Sequence, residues 1–113
     1  MLIVRRLSNL GIFPRFNGHS YDLFAALKRP MNVQPSSNER IPLGISVEFP
    51  EGTYGRLSLA PHSSLVRIMN TKLDESIDVI NGRFLTTIQP GEKVAEFTIE
   101  NVVKMEIKDV HSN

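Results

Sequence analysis

Asp78 sits between Ile77 and Val79, and Asp22 sits between Tyr21 and Leu23. A carboxylate placed inside an apolar strand is partly shielded from water. Its proton affinity rises, and it becomes usable as a general base. Strand alternation allows a second reading, in which the carboxylates face solvent while their apolar neighbours point inward. A third group lies in Pro61-His62-Ser63-Ser64-Leu65, where two hydroxyls and several backbone N–H groups follow a strand. That is suitable hardware for holding an anion, although a solvated loop has the same composition. His62 and Ser63 are adjacent, so they do not present themselves to each other in the geometry of a triad with Asp78. His19, His62 and His111 lack metal-ligand spacing, and no zinc site is expected.

Composition narrows the classes of function. A hydrophobic fraction of 41% and a charged fraction of 22% are those of a folded globule. The 113 residues suffice for one core, so a single domain over 1–113 is expected, frayed over 110–113. Thirteen basic and twelve acidic residues leave a net charge of +1, which gives no general attraction to nucleic acid or to a membrane surface. Any anion site must therefore be local. The absence of cysteine excludes disulfides, thiolate ligands and a thiol nucleophile. Met1-Leu2-Ile3-Val4 is interrupted by Arg5-Arg6, too short for a signal peptide or a bilayer span, so a soluble, unprocessed intracellular protein is the expectation.

The elements that must position these groups read as strands. Ile41, Leu43, Ile45, Val47 and Phe49 occupy every second position, the pattern of a half-buried strand. Further strands are expected over Leu2–Leu7, Arg56–Ala60, Leu65–Met69, Ile77–Ile80, Arg83–Ile88, Lys93–Ile99 and Val102–Ile107. Pro50-Glu51-Gly52, Asn81-Gly82 and Gln89-Pro90-Gly91 supply the turns. Residues 28–40 read as an exposed polar connection, and a short helical turn has room near Ser64–Arg67 or Asp74. No helical period and no internal repeat are present. Many short strands separated by Gly and Pro predict an all-β sandwich or barrel.

Taken in order, these fragments resemble the trimeric dUTP diphosphatase (dUTPase) family over nearly the whole chain. Ser20-Tyr21-Asp22-Leu23-Phe24-Ala25-Ala26 is similar to that family's first motif, Gly-Tyr-Asp-Leu followed by small residues. Tyr54-Gly55-Arg56 with Pro61-His62-Ser63-Ser64-Leu65 resembles the second, Ile77-Asp78 with Asn81-Gly82 the third, and Gly91-Glu92-Lys93-Val94-Ala95-Glu96 the fourth, Gly-Asp-Arg-Ile-Ala-Gln. The resemblance implies a homotrimer of jelly-roll-like β-barrel protomers with sites at subunit boundaries. It also implies hydrolysis of dUTP to dUMP and pyrophosphate with Mg2+. On that reading Asp78 orients and deprotonates the attacking water and Asp22 helps hold the hydrated metal. His62, Ser63, Ser64, Asn81 and Gly82 then form the substrate-binding set.

The departures from the family pattern fall on the same site. His62 replaces the arginine of the second motif, removing a bidentate phosphate clamp. Asn81 stands where the family has the tyrosine that stacks on deoxyribose. Glu96 replaces a glutamine, and if it faced a triphosphate at about 4 Å the repulsion would cost about 1–4 kcal/mol. Twelve residues separate Asp78 from Gly91, fewer than the family's uracil-reading strand pair, and no counterpart of the fifth motif precedes Asn113. An open site stays wet, and electrostatic catalysis weakens in water. The expectation is a dUTPase-fold trimer with a degraded nucleotide site, acting as a binding, structural or regulatory module of viral type, virion-associated and partnered by another protein. The competing expectation is a minimal active dUTP diphosphatase that uses Mg2+.

Overall fold

The alternating apolar stretch does bury every second side chain: Ile41, Leu43, Ile45, Val47 and Phe49 all lie in the core. It is not one strand, however. The chain breaks at Gly44, whose φ of 65° is a left-handed conformation that a residue with a side chain adopts only under strain. β5 (Asn38–Pro42) precedes the break and β6 (Ile45–Glu48) follows it. The two halves therefore join different sheets while keeping their apolar sides on a common core.

The computed structural model describes residues 1–34, 38–59, 66–80 and 86–111, and among them every regular element is a strand. The remaining strands are β1 (Ile3–Arg6), β2 (Arg15–Phe16), β3 (Tyr21–Phe24), β4 (Met31–Val33), β7 (Thr53–Ser58), β8 (Val66–Met69), β9 (Lys72–Leu73), β10 (Ser76–Ile80), β11 (Thr86–Ile88) and β12 (Lys93–Asn101). They form an antiparallel five-stranded sheet in the order β2-β3-β12-β7-β8, a three-stranded sheet β1-β6-β9, and the pairs β10-β5 and β11-β4. The all-β architecture expected from many short strands separated by Gly and Pro is therefore the one that forms.

The core is filled from all of these sheets. Leu23, Leu57 and Phe97 enter from the five-stranded sheet, Ile45 and Val47 from the three-stranded one, and Ile41, Ile77, Val33 and Ile88 from the two pairs. Phe97 anchors it, stacked on Tyr21 at 5.2 Å and meeting Phe49 edge-on at 5.6 Å between centroids. Burying one such side chain is worth about 1.5–3 kcal/mol. Across the sheet, Gly55 is buried against the Phe49 ring, and a Cβ there would collide with it.

Four further expectations are corrected. Residues 28–40 are not a plain connection: β4 and the start of β5 lie within them, and Val33 is fully buried. The strand expected from Arg56 begins three residues earlier, at Thr53, because Thr53 to Ser58 pair residue by residue with β12. The strand expected over Val102–Ile107 does not form. β12 ends at Asn101, Val102 N–H donates to Gly52 C=O at 2.8 Å, and 102–111 are exposed. Alternation there has no partner surface within one chain. A helical turn is likewise absent from 66–69, which is strand, and from Asp74.

Candidate functional site

The outward face of the five-stranded sheet carries Asp22. Its position is prepared by the preceding turn, where Asn17 Oδ1 accepts hydrogen bonds from the backbone N–H groups of His19 and Ser20, both at 2.9 Å. The Asn17 amide then donates to Ser20 Oγ at 2.9 Å and to Asp22 Oδ1 at 2.8 Å. An asparagine whose oxygen closes the turn and whose nitrogen reaches the following strand ties loop geometry to a side-chain position.

Across the ladder, β3 and β12 place Asp22 directly opposite Glu96. Two carboxylates at a cross-strand pair repel unless a cation lies between them. The cation is Lys93, whose Nζ lies 3.0 Å from Asp22 Oδ1 and 2.9 Å from Glu96 Oε2. In a regular strand, residues 93 and 96 would point to opposite faces. The ladder shifts register between Lys93 and Ala95, so Val94 is an extra residue. Val94 and Ala95 are both buried, and Lys93 returns to the face of Glu96. Ser20 Oγ completes the cluster by donating to Glu96 Oε2 at 3.1 Å.

The charges of these groups are mutually tuned. Burial pushes the Asp22 carboxyl up. Hydrogen bonds from Lys93 and Asn17 and the positive charges of Lys93 and Arg15 outweigh it, holding Asp22 below its ordinary value. The Lys93 hydrogen bond holds Glu96 low, against the opposing effect of its burial. Lys93 is raised, chiefly by its hydrogen bonds to Glu96 and Asp22. Glu96 is thus not the bare repulsive charge expected from its replacement of glutamine. Its carboxylate is already matched, at the rim of a small hollow of about 110 Å3 shared with Ser20, Arg56 and Ser58.

Asp78 lies elsewhere, on β10, directly opposite Arg40 of β5. Ile77 is buried and the Asp78 side chain is 37% exposed, so the carboxylate faces outward. Its oxygens are engaged by two guanidinium groups, Arg40 Nε at 3.4 Å and Arg67 Nη1 at 3.9 Å. All three line a cavity of about 550 Å3 that also includes Ser76, Lys72 and Leu57. The hollow beside Glu96 and the cavity beside Asp78 have no lining residue in common.

His62, Ser63, Ser64, Asn81 and Gly82, the expected substrate-binding set, lie outside the described residues. Among the described residues, no group of three or more His, Cys, Asp or Glu side chains could hold a metal ion, and His19 and His111 are exposed. Residue-type matching missed Asn17, Arg40, Arg67 and the bridging role of Lys93. One signal for Lys93 was present. Val94 and Ala95 are consecutive small apolar residues inside an otherwise alternating strand, which marks a bulge.

No protein-family model matches the chain. Curated relatives do. Deoxyuridine 5'-triphosphate nucleotidohydrolase of Alcanivorax borkumensis is 30% identical over 105 residues, covering 80% of this chain and 69% of that protein. The variola virus protein of the same name is 29% identical over 103 residues, covering 81% and 67%. The matched region therefore spans about two thirds of these relatives. Among solved structures, a mutant dUTPase from phage phi11 of S. aureus, described with a structural Mg(II) ion, is similar at TM-score 0.78 and 20% identity over 99% of this chain and 97% of that one. A mutant dUTPase of Staphylococcus bacteriophage 80alpha with dUpNHpp gives TM-score 0.74 at 20% identity, covering 100% and 97%. At that identity the structures speak for the fold, and the sequence relatives speak for descent. The chain belongs to the dUTPase family.

Proposed function

We propose that this protein keeps the dUTPase scaffold as a homotrimer but has a nucleotide site degraded for hydrolysis, and that it serves as a binding or regulatory module. The observation that carries this reading is the state of Asp22. The residue that would help hold a hydrated metal has one oxygen engaged by the Lys93 ammonium at 3.0 Å and the Asn17 amide at 2.8 Å. Asp78, the would-be base, likewise has its two oxygens facing the Arg40 and Arg67 guanidinium groups, at 3.4 and 3.9 Å. The replacement of an arginine by His62 and of a stacking tyrosine by Asn81 supports the same direction.

The regulatory role rests on the family's range. The phage 80alpha structure is described in terms of phage dUTPases controlling the transfer of virulence genes, so the fold is compatible with work other than nucleotide hydrolysis. A viral origin accords with that neighbour and with the variola virus relative. The trimer is supported by unpartnered apolar surface. Val103, Met105 and Ile107 alternate along an exposed segment, and Val66 and Ile68 are exposed on β8 at the edge of the five-stranded sheet.

A second reading, a minimal active dUTP diphosphatase using Mg2+, is favoured by the cavity beside Asp78, where Arg40 and Arg67 could meet phosphate oxygens. Calorimetry with dUMP, dUTP and a non-hydrolysable dUTP analogue tests the binding role. Heat with the analogue and an equal, non-decaying signal with dUTP are expected of a module that binds without cleaving. No heat with any of the three removes the nucleotide from the proposal, and a sustained turnover signal with dUTP supports the enzyme.

A further inference from the structure

Ser8 is preceded by Arg5 and Arg6, and no other serine or threonine of the chain has arginine both two and three residues before it. Guanidinium groups at two fixed offsets from a hydroxyl are what the acidic subsites of an arginine-directed protein kinase read. The segment is also presented in a usable form. Arg5 and Arg6 belong to β1, which lies at the edge of its sheet and pairs with β6 on one side. Both are extended and exposed, with side chains on opposite sides of the strand. Neither is tightly held. Arg5 lies 3.9 Å from Glu48 with 64% of its side chain exposed, and Arg6 stacks on the half-exposed Phe13 ring at 4.7 Å. The chain leaves the sheet after Arg6. Leu7 N–H and Ser8 N–H donate to Gly44 C=O at 2.8 and 3.3 Å, and Ser8 Oγ accepts from Leu10 N–H at 3.3 Å on an exposed residue.

We propose that Ser8 is a phosphorylation site for an arginine-directed protein kinase and that Arg40 receives the phosphate. In the transfer, Ser8 Oγ forms a bond to the γ-phosphorus of ATP while the bond from that phosphorus to the β,γ-bridging oxygen breaks. ADP leaves, and the hydroxyl proton passes to the kinase's catalytic aspartate. The product carries a charge of about −1.5 to −2 and three strong acceptor oxygens. Ser8 and Arg40 line the same hollow of about 370 Å3, together with Gly44, Glu75 and Ser76. Among the described lining residues Arg40 is the one cation and Glu75 the one carboxylate, so a dianion has one group to draw in and one to avoid. Arg40 also lines the cavity beside Asp78, as do Leu7, Glu75 and Ser76. Its guanidinium meets Asp78 at 3.4 Å with the side chain 74% exposed, a contact that solvent weakens. A phosphate on Ser8 competes for that guanidinium. Modification on one side of the shared wall is thus felt by the carboxylate on the other.

The modification is read directly, so it stands or falls separately from nucleotide binding and hydrolysis. The catalytic subunit of cyclic-AMP-dependent protein kinase with ATP should add one phosphoryl group to the folded, unaltered protein, placed on Ser8 by mass spectrometry of its peptides. Ser8→Ala should remain unmodified. Arg5→Ala, whose fold is spared because the ion pair with Glu48 is long and exposed, should be modified with kcat/KM lower by roughly tenfold or more. An unmodified Ser8 in the unaltered protein, or equal rates for it and Arg5→Ala, would overturn the site. In the modified protein the Arg40 Nε–H resonance and the Asp78 backbone amide should both move. In Arg40→Ala the Asp78 amide should have the same position with and without the phosphate. Arg40 and Asp78 signals that both ignore the modification would overturn the receiving role of Arg40.

Discussion

Asp22 on β3 and Glu96 on β12 face each other across the central ladder of the five-stranded sheet, and a single ammonium, that of Lys93, lies 3.0 Å from one and 2.9 Å from the other. The pair combines a residue of the first family motif with one of the fourth. What it can do chemically is decided by the cation already between them.

Removing that cation leaves two like charges at a cross-strand pair. Lys93→Met should destabilise the protein by about 1–3 kcal/mol, with the lower half of that range expected because Glu96 is only partly buried. Glu96→Gln alone should cost under about 1 kcal/mol, since the amide can still accept from Ser20 and Lys93. The double variant should be more stable than the sum of the two single losses, because the repulsion is gone. Urea unfolding of the four proteins checks this, and strict additivity would remove the coupling.

The same cluster sets a pH window. Asp22 and Glu96 have folded-state values below their ordinary 3.8 and 4.5, so the stability they contribute is present above those values and is lost as pH falls through the lowered ones. Lys93 is raised above its ordinary 10.5, so its contribution is complete below that value and disappears as pH climbs through the raised one. A flat urea midpoint through the neutral range, falling at acid pH, is expected. Asp22→Asn should flatten the acid limb, and an unchanged limb in that variant would assign the acid loss to other carboxylates.

Gly55→Ala tests the packing beneath the site. A Cβ at Gly55 meets the Phe49 ring, which is itself held edge-on to Phe97, so the ring has little room to retreat. A loss of about 1–3 kcal/mol is expected from overpacking. Gly52→Ala is an instructive contrast. It meets no atom within 4 Å but sits at φ 79°, so its cost comes from backbone conformation alone. Thermal melts showing Gly55→Ala as stable as wild type would place the Phe49 ring elsewhere.

The proposed trimer can be tested through the exposed apolar segment. Light scattering should give three copies of the 12.7 kDa chain. Charged replacements at Met105 and Ile107, 75% and 93% exposed in the protomer, should shift the mass downward while leaving the sheet's circular dichroism intact. A monomer in the unaltered protein would contradict the shared-surface architecture.

Much of the fold was legible because its signals are local. Period-two alternation marked Ile41 to Phe49 as a core-facing run, and the Gly and Pro turns separated most strands. Gly44 split that run, since one glycine inside a strand pattern can mark either a tolerated residue or a reversal of direction. β4 and β9 were missed because strands of three and two residues carry almost no periodicity of their own. For Asp78, the solvent-facing reading of the alternation is the one adopted, with Ile77 turned inward. The engagement of Asp22 by Lys93 was not legible, because it needs a register shift that brings residues 71 positions apart onto one face. The Val102–Ile107 alternation was read as a strand, yet a strand is a property of two partners, and one chain supplies only one of them.

Pyrophosphate release from dUTP in the presence of Mg2+, measured side by side for the unaltered protein and Asp78→Asn, bears most directly on the claim that the scaffold has outlived the reaction. Release by the unaltered protein no greater than by Asp78→Asn is the expected result. Robust release that Asp78→Asn abolishes would contradict it, and would make Asp78 a working base despite Arg40 and Arg67.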